Sequence, residues 1–211
     1  MLERKNLPGK GEGELLPLVE QFYTLQGEGF HTGKAAYFIR IGGCDIGCRW
    51  CDSKISWSPE IHRLVSIDEI LEKVLATPAR SVVVTGGEPS LYNLNPLCNK
   101  LKAHNIETFI ETSGAYKLTG TWDWICLSPK QNLHPDKSMY NRADELKIIV
   151  YEDDDIKWAE ECAKRVPDSC ILYLQPEWSR FAVNIGKIVD YAKNNPQWMV
   201  SLQSHKFMKI P

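Results

Sequence analysis

Residues 42–53 read GGCDIGCRWCDS and set three of the chain's seven cysteines into one short loop, spaced C-x3-C-x2-C. Cysteine is often a small buried hydrophobe, which accounts for Cys98, Cys126, Cys162 and Cys170, each in an apolar segment. Cys44, Cys48 and Cys51 instead sit among Gly, Asp and Arg, where no core periodicity exists. A structural zinc site closes with four ligands, and His62 is the available fourth. Three thiolates from one loop also suit a [4Fe–4S] cluster, which normally takes four cysteines; one iron would then be open to a non-protein ligand.

Working outward from that loop, short apolar runs of strand length and β-branched or aromatic content lie near 18–24, 36–41, 81–85, 106–110, 122–127, 145–151, 170–174 and 198–202. Helical patterns fall between several of them. Ser66 can cap a helix, with Glu69 three residues on to complete a capping box ahead of Ile70, Leu71, Val74 and Leu75. Further helices are predicted at about 90–104, 153–165 and 180–194. Strand and helix in alternation predict an α/β fold on a parallel sheet. The connection from 106–110 to 122–127 contains ETSGAYKLTG, which is no helix former. The expectation is an incomplete (β/α) barrel with some crossover helices missing.

In parallel sheets the loops at the carboxyl ends of the strands converge on the ligand. GGCDIGCRWC follows the 36–41 strand, TGGEP (85–89) the next, ETSG (111–114) the third and SPK (128–130) the fourth; QP (175–176) and LQSHK (202–206) follow two later ones. Each piece alone reads as an ordinary turn, and QGEGFHTG (26–33) as a flexible glycine loop whose glycines also admit close backbone approach. Six such loops at one rim describe a single large site.

The chain has 211 residues, 43% of them apolar, enough for one sizeable core. Residues 1–16 read as a polar leader and 17–211 as one domain. A formal charge of −2 gives no bulk attraction to nucleic acid or an anionic membrane. The amino terminus carries no apolar signal region and no 18-residue apolar run occurs, so a soluble, cytoplasmic protein is expected. An odd number of cysteines in a reducing compartment argues against a disulfide framework.

C-x3-C-x2-C with Trp50 ahead of the last cysteine, followed after a helix and strand by GGEP (86–89), resembles the radical S-adenosylmethionine superfamily. Within it, FYTLQGEGFHTGKAAYFIRIGGCDIGCRWCDS (22–53), VVVTGGEPSL, IETSG, LSPK, LQP and the closing SLQSHKFMKIP are similar to the 7-carboxy-7-deazaguanine synthase family. The resemblance implies an enzyme that contracts 6-carboxy-5,6,7,8-tetrahydropterin to 7-carboxy-7-deazaguanine with loss of ammonia, on the route to 7-deazapurines such as queuosine. It implies S-adenosylmethionine chelated to the open iron and cleaved to a 5′-deoxyadenosyl radical, with Mg2+ assisting. Electrons would come from a donor such as flavodoxin or ferredoxin, and relatives in the family are homodimers.

Carried over by position, Cys44, Cys48 and Cys51 would hold the cluster and Ser53, where many relatives have Thr, would offer Mg2+ a hydroxyl. Leu25, Gln26, Gly27 and Thr85 would contact the pterin. Arg40 would face its carboxylate, in the forked geometry that suits a guanidinium; Arg40 and Glu28 are the candidate catalytic residues. Trp50, Cys51, Asp52, Gly87, Glu88, Glu111, Ser113, Ser128, Pro129, Lys130, Gln175 and Pro176 match cofactor contacts, as do Glu177 and Trp178, which would act through backbone. Pro211 would close over the substrate with its carboxylate. Two rivals share part of the pattern: a small glycyl-radical activase, which would not call for LQGEG or Arg40, and a non-enzymatic zinc or iron–sulfur module.

Overall fold

The computed structural model describes residues 11–211. Nine strands form one sheet: β1 (Leu15–Leu25), β2 (Ala35–Ile41), β3 (Arg63–Ser66), β4 (Ser81–Gly86), β5 (Glu107–Thr112), β6 (Trp124–Leu127), β7 (Glu145–Val150), β8 (Ile171–Pro176) and β9 (Trp198–Val200). Their order is β3-β1-β2-β4-β5-β6-β7-β8-β9. From β2 to β9 every neighbouring pair is parallel; β1 runs antiparallel to both β2 and β3. Parallel pairing needs long crossovers, and helices α1 (Ile67–Leu75), α2 (Asn95–Ala103), α4 (Asp154–Ala163) and α5 (Phe181–Asn194) supply four of them. No described helix joins β5 to β6, and only the one-turn α3 (Lys137–Tyr140) lies between β6 and β7. This is the incomplete barrel that the helix-poor segment after β5 predicts.

Period-two alternation along the strands builds two environments. One face, with Ile39, Val82, Val84, Ile110, Leu127, Leu146, Ile148 and Leu174, packs into the main core with the helices. Each such side chain contributes about 1.5–3 kcal/mol of hydrophobic stabilisation. On the other face Ala36, Phe38, Val83 and Phe109, with Phe22 and Trp124, make a small second core. Two residues further along the same face stand Arg40, Thr85 and Glu111, and there the surface turns polar and lines a cavity.

The sheet does not close on itself, since β3 and β9 are its two edges. The loop after β1 spans the gap: the Ser204 amide donates to Gly27 O at 2.8 Å and the Gly29 amide donates to Ser201 Oγ at 2.9 Å. Gly29 has φ +64°, and a Cβ there would run into the Glu145 carboxylate. QGEGFHTG is therefore a fitted bridge rather than a flexible loop; His31 stacks on Phe109 and Phe30 on Trp124 beneath it.

The helix start at Ser66 is as expected, with Ser66 Oγ accepting from the Glu69 amide at 3.2 Å. The reciprocal half of the capping box is not formed, because Arg63 draws the Glu69 carboxylate away. The helix predicted from residue 90 starts at Asn95, after a 3-10 turn at Pro89–Leu91. Strands β5 and β8 each run two residues past their predicted ends, so Glu111 and Gln175 lie in strands rather than loops. Of the leader expected over 1–16, residues 1–10 lie outside the described residues, while Leu16 is fully buried and pairs with Val65. The edge strand β3 and the short helices α3 and α6 (Ser204–Met208) carry no periodicity to betray them.

Candidate active site

A cavity of about 550 Å³ opens at the carboxyl ends of the parallel strands. The cysteine loop forms one wall, held almost entirely by backbone. The Gly43 amide donates to Ser56 O at 2.7 Å, the Cys44 amide to Trp57 O at 3.0 Å, and the Glu88 amide to Gly43 O at 2.8 Å. Tyr92 Oη donates to Gly42 O at 2.8 Å. Gly87 has no room for a side chain, since a Cβ would meet the Gly43 and Ser56 carbonyls. The loop thus presents Cys44, Cys48 and Cys51, all half-buried free thiols, to the same cavity. Burial pushes the Cys44 thiol up to about 12 and raises Cys48 too, although Lys130 opposes the latter. Cys51 Sγ accepts from the Trp57 indole at 3.3 Å.

Glu88 is buried at the end of β4, and its carboxylate accepts from the Ser90 amide (2.9 Å) and hydroxyl (2.6 Å), the Ser113 amide (2.8 Å), and the hydroxyls of Thr112 and Ser113. Five donors consume it, so it rivets the GGEP loop to the end of β5. Glu177 is likewise turned onto its own chain, capping the turn at Trp178–Arg180 through the Ser179 and Arg180 amides. Trp178 packs against Phe181 and Phe207. The Glu177 amide itself donates to Val150 O at 3.0 Å.

The opposite wall is ionic. Lys147, with only 3% of its side chain exposed, donates to Glu28 Oε2 at 2.5 Å and to Glu111 Oε2 at 2.9 Å. Gln26 donates to Glu111 Oε1 at 2.9 Å and accepts from the Glu28 amide at 3.1 Å; Gln203 donates to Glu28 Oε1 at 2.9 Å. Burial would push Glu28 up, but Lys147 and its hydrogen-bond donors hold it down at about 2. Lys147 lies well above the usual lysine range: burial opposes its charge, and Cys126, Glu111, Glu28 and Glu145 outweigh burial. Glu145, one turn of the pleat below, is raised by burial.

Between these walls, Arg40 Nε donates to Glu20 Oε1 at 2.7 Å, using one of the five guanidinium N–H donors. Lys130 Nζ donates to Ser128 O and Oγ at 2.6 Å each and lies over the Trp50 ring, with burial lowering its pKa. Gln175 Oε1 accepts from Ser201 Oγ at 2.6 Å. Asp52 accepts from Gln203 and Lys206, each at 3.3 Å. Thr24 Oγ1 donates to Pro211 O at 3.4 Å, which brings the last residue of the sequence onto the cavity wall.

Every residue that the sequence marks for the site lines this one cavity except Pro129, which faces a neighbouring cavity of about 290 Å³ on the far side of Trp50 and Lys130. The reason is the bond of Lys130 to Ser128, which curls the SPK segment so that Ser128 and Lys130 share one side. The sequence reading places the LQSHK segment at the rim without singling out Gln203 or His205, and it does not mark Lys147 or Glu20. The signal for Lys147 was present: Glu145 and Lys147 alternate with Leu146 and Ile148, placing charge at successive inward positions of a central strand.

His62, the alternative zinc ligand, engages the Ile55 carbonyl at 2.9 Å and does not line the cavity with the thiols. Among the described residues no three His, Cys, Asp or Glu side chains stand close enough together for a single metal ion. Three thiols spread around one loop fit a polynuclear cluster instead.

The profile of the Radical SAM superfamily matches residues 38–124, from β2 to the start of β6. A 7-carboxy-7-deazaguanine synthase of Flavobacterium psychrophilum is 54% identical over 95% of this chain and 95% of its own. The chain belongs to the 7-carboxy-7-deazaguanine synthase family. A second 7-carboxy-7-deazaguanine synthase, from Synechocystis sp., is 44% identical over 92% of this chain and 93% of its own. The crystal structure of QueE from Escherichia coli matches with a TM-score of 0.81 at 30% identity, covering 92% of this chain and 96% of that one. Membership in a radical SAM family brings with it a [4Fe–4S] cluster and S-adenosylmethionine, and the activase and binding-module alternatives fall away. Among the described residues, no helix is long and apolar enough to cross a membrane.

Proposed function

We propose that this enzyme converts 6-carboxy-5,6,7,8-tetrahydropterin to 7-carboxy-7-deazaguanine and ammonia, in the 7-deazapurine route that serves queuosine. The observation that carries the reading is that one cavity sets the three thiols of the CxxxCxxC loop opposite Arg40 and the Glu28–Lys147–Glu111 network. Loss of ammonia accounts for every atom between substrate and product, so turnover needs no net oxidant. When bound, the cluster and S-adenosylmethionine supply hydrogen-atom abstraction; the chain's own residues bind, orient and exclude water.

Cys44, Cys48 and Cys51 are the cluster ligands in this reading. The segments around Gly87, Glu88, Pro176, Glu177 and Trp178, together with Trp50, Asp52, Ser113, Ser128, Lys130 and Gln175, form the S-adenosylmethionine side, and Pro129 supports it from behind. Leu25, Gln26, Gly27, Thr85 and Pro211 flank the pterin. Arg40 meets the substrate carboxylate with the guanidinium edge that Glu20 leaves free, Glu20 fixing its direction. Glu28, an acceptor only while ionised, suits the N–H donors of the aminopyrimidinone ring. Ser53 offers a hard oxygen to Mg2+, whose octahedron substrate oxygens and water would complete. Residues 17–211 act as one domain, to which β1 adds Leu15 and Leu16. A cytoplasmic homodimer reduced by flavodoxin or ferredoxin completes the reading.

The test is anaerobic reconstitution followed by addition of S-adenosylmethionine, reductant and the carboxytetrahydropterin, with product followed by mass spectrometry. Product formation that depends on Mg2+ is expected. An intact cluster that cleaves S-adenosylmethionine but leaves the pterin unchanged overturns the substrate assignment.

A further inference from the structure

Lys147 lies at the centre of the cavity floor on β7, and burying an ammonium costs several kcal/mol unless it is well paired. Its two partners come from different parts of the chain, Glu28 from the bridge after β1 and Glu111 from the end of β5. Gln26 ties the same two residues together, donating to the Glu111 carboxylate and accepting from the Glu28 backbone amide, and Gln203 takes the second oxygen of Glu28. Both Glu28 oxygens are thereby fixed in direction while 16% of its side chain stays open to the cavity. The arrangement touches the thiol loop through Gln203, which also donates to Asp52 at 3.3 Å.

We propose that Lys147 is the positioning residue of the substrate wall: its ammonium holds Glu28 and Glu111 as charged acceptors turned into the cavity, so that Glu28 receives N–H donors of the bound pterin. The proposal rests on the pterin reading above for the identity of the ligand, but not for the action of Lys147 on Glu28. The charged and titratable groups around Glu28 are Lys147 and Glu145 of β7, Glu111 of β5, Cys126 of β6, His205 and Lys206 of α6, and Asp52 of the cysteine loop. Lys147 is the one cation among them in contact with the Glu28 carboxylate. Replacing it leaves burial as the dominant influence on Glu28, which favours the protonated form.

Two measurements on the reconstituted enzyme test this. The first is the dissociation constant of carboxytetrahydropterin in the presence of S-adenosylmethionine, from about pH 6 to about pH 8. The wild-type constant is expected to change little, Lys147→Met to bind about tenfold more weakly at the acid end than at the alkaline end, and Lys147→Arg to restore the flat profile. A Lys147→Met profile parallel to that of wild type overturns the proposal, because a merely structural lysine would weaken binding equally at every pH.

The second measurement needs no ligand. Melting temperatures of wild type, Glu28→Gln, Lys147→Met and the double variant at neutral pH form a cycle. Glu28→Gln is expected to lower the melting temperature of wild type and to raise that of Lys147→Met, where the carboxylate is buried without its cation. The same sign in both backgrounds overturns the proposal. If wild type fails to bind the pterin while the sign reversal is seen, the substrate reading is wrong and the action of Lys147 on Glu28 stands. Should Lys147→Met fail to fold, Lys147→Gln combined with Glu111→Gln removes one buried negative charge along with the positive one and carries the same cycle.

Discussion

The two walls of the cavity are built by opposite means. The thiol wall is backbone held against backbone: glycines at 43 and 87, carbonyls of Gly42, Ser56 and Trp57, and a single carboxylate, Glu88, saturated by its own neighbours. The ionic wall is side chain held against side chain, with Lys147, Glu28, Glu111, Gln26 and Gln203 reaching across from four separate segments. Backbone bonds fix where atoms sit and tolerate no extra bulk. A buried ionic network fixes charge and direction, and its geometry changes when one member is removed. The first design suits a cluster whose ligands must stand still, the second a substrate that must be oriented and then released.

Breaking the thiol wall has the largest effect. Cys48→Ser removes one of the three thiols proposed to hold the cluster, and iron content after reconstitution together with turnover is expected to fall to background. Retained iron and activity would remove Cys48 from the ligand set. Glu88→Ala comes next. It strands five buried donors, and since each unsatisfied group costs about 1–3 kcal/mol, a stability loss of about 3 kcal/mol or more is expected in denaturant melts. That variant should also load iron poorly, because the residue 88 amide that anchors Gly43, though retained, loses the carboxylate rivet to Thr112 and Ser113 that holds it in place. Normal iron loading would separate the two ends of the loop.

Breaking the proposed substrate contact between the walls should leave iron untouched. Arg40→Lys keeps the charge but loses the fork, and a bidentate site does not accept that exchange well. The expected outcome is a rise in KM for the pterin of about tenfold to a hundredfold, roughly 1.4–2.7 kcal/mol, with full iron content and unchanged S-adenosylmethionine cleavage in the absence of pterin. An unchanged KM would show that Arg40 serves only its pairing with Glu20.

The same contrast explains what could be read from the sequence. The thiol wall is local: CxxxCxxC, GGEP and ETSG are contiguous strings whose chemistry is visible without knowing the fold, and their placement after apolar runs put them at one rim correctly. The ionic wall is assembled across long separations, Lys147 being 119 residues from Glu28, so no window contains it. Pro129 illustrates the limit from the other side: its string matched, but the bond of Lys130 to Ser128 turned it to the neighbouring cavity. The strand ends at β5 and β8 lie two residues beyond the apolar runs, because polar side chains read as loop in sequence, whereas Glu111 and Gln175 are inward-facing strand positions lining the cavity. In sequence, glycine over residues 26–33 reads as freedom, whereas in the fold Gly29 is required by its positive φ and by Glu145 behind it.

The smallest expected effect sharpens the comparison within the ionic wall itself, where two carboxylates titrate in opposite senses. Burial works against the charge on Glu28, but Lys147 and its donors hold its folded value at about 2, below the ordinary 4.5. The native state then binds fewer protons than the unfolded chain. The Glu28 contribution to stability is complete above pH 4.5 and drains away as pH falls toward 2, at most about 1.4 kcal/mol per pH unit. Glu145 is raised by burial, so its contribution has the other sign: it is fullest below its ordinary value and is lost as pH rises through the folded one. The stability gap between wild type and Glu28→Gln should therefore narrow on acidification below about pH 4.5, while the gap between wild type and Glu145→Gln should shift against wild type as pH rises above that point. Parallel pH profiles for the two variants would mean that Lys147 does not distinguish the carboxylate it contacts from the one it merely overlooks.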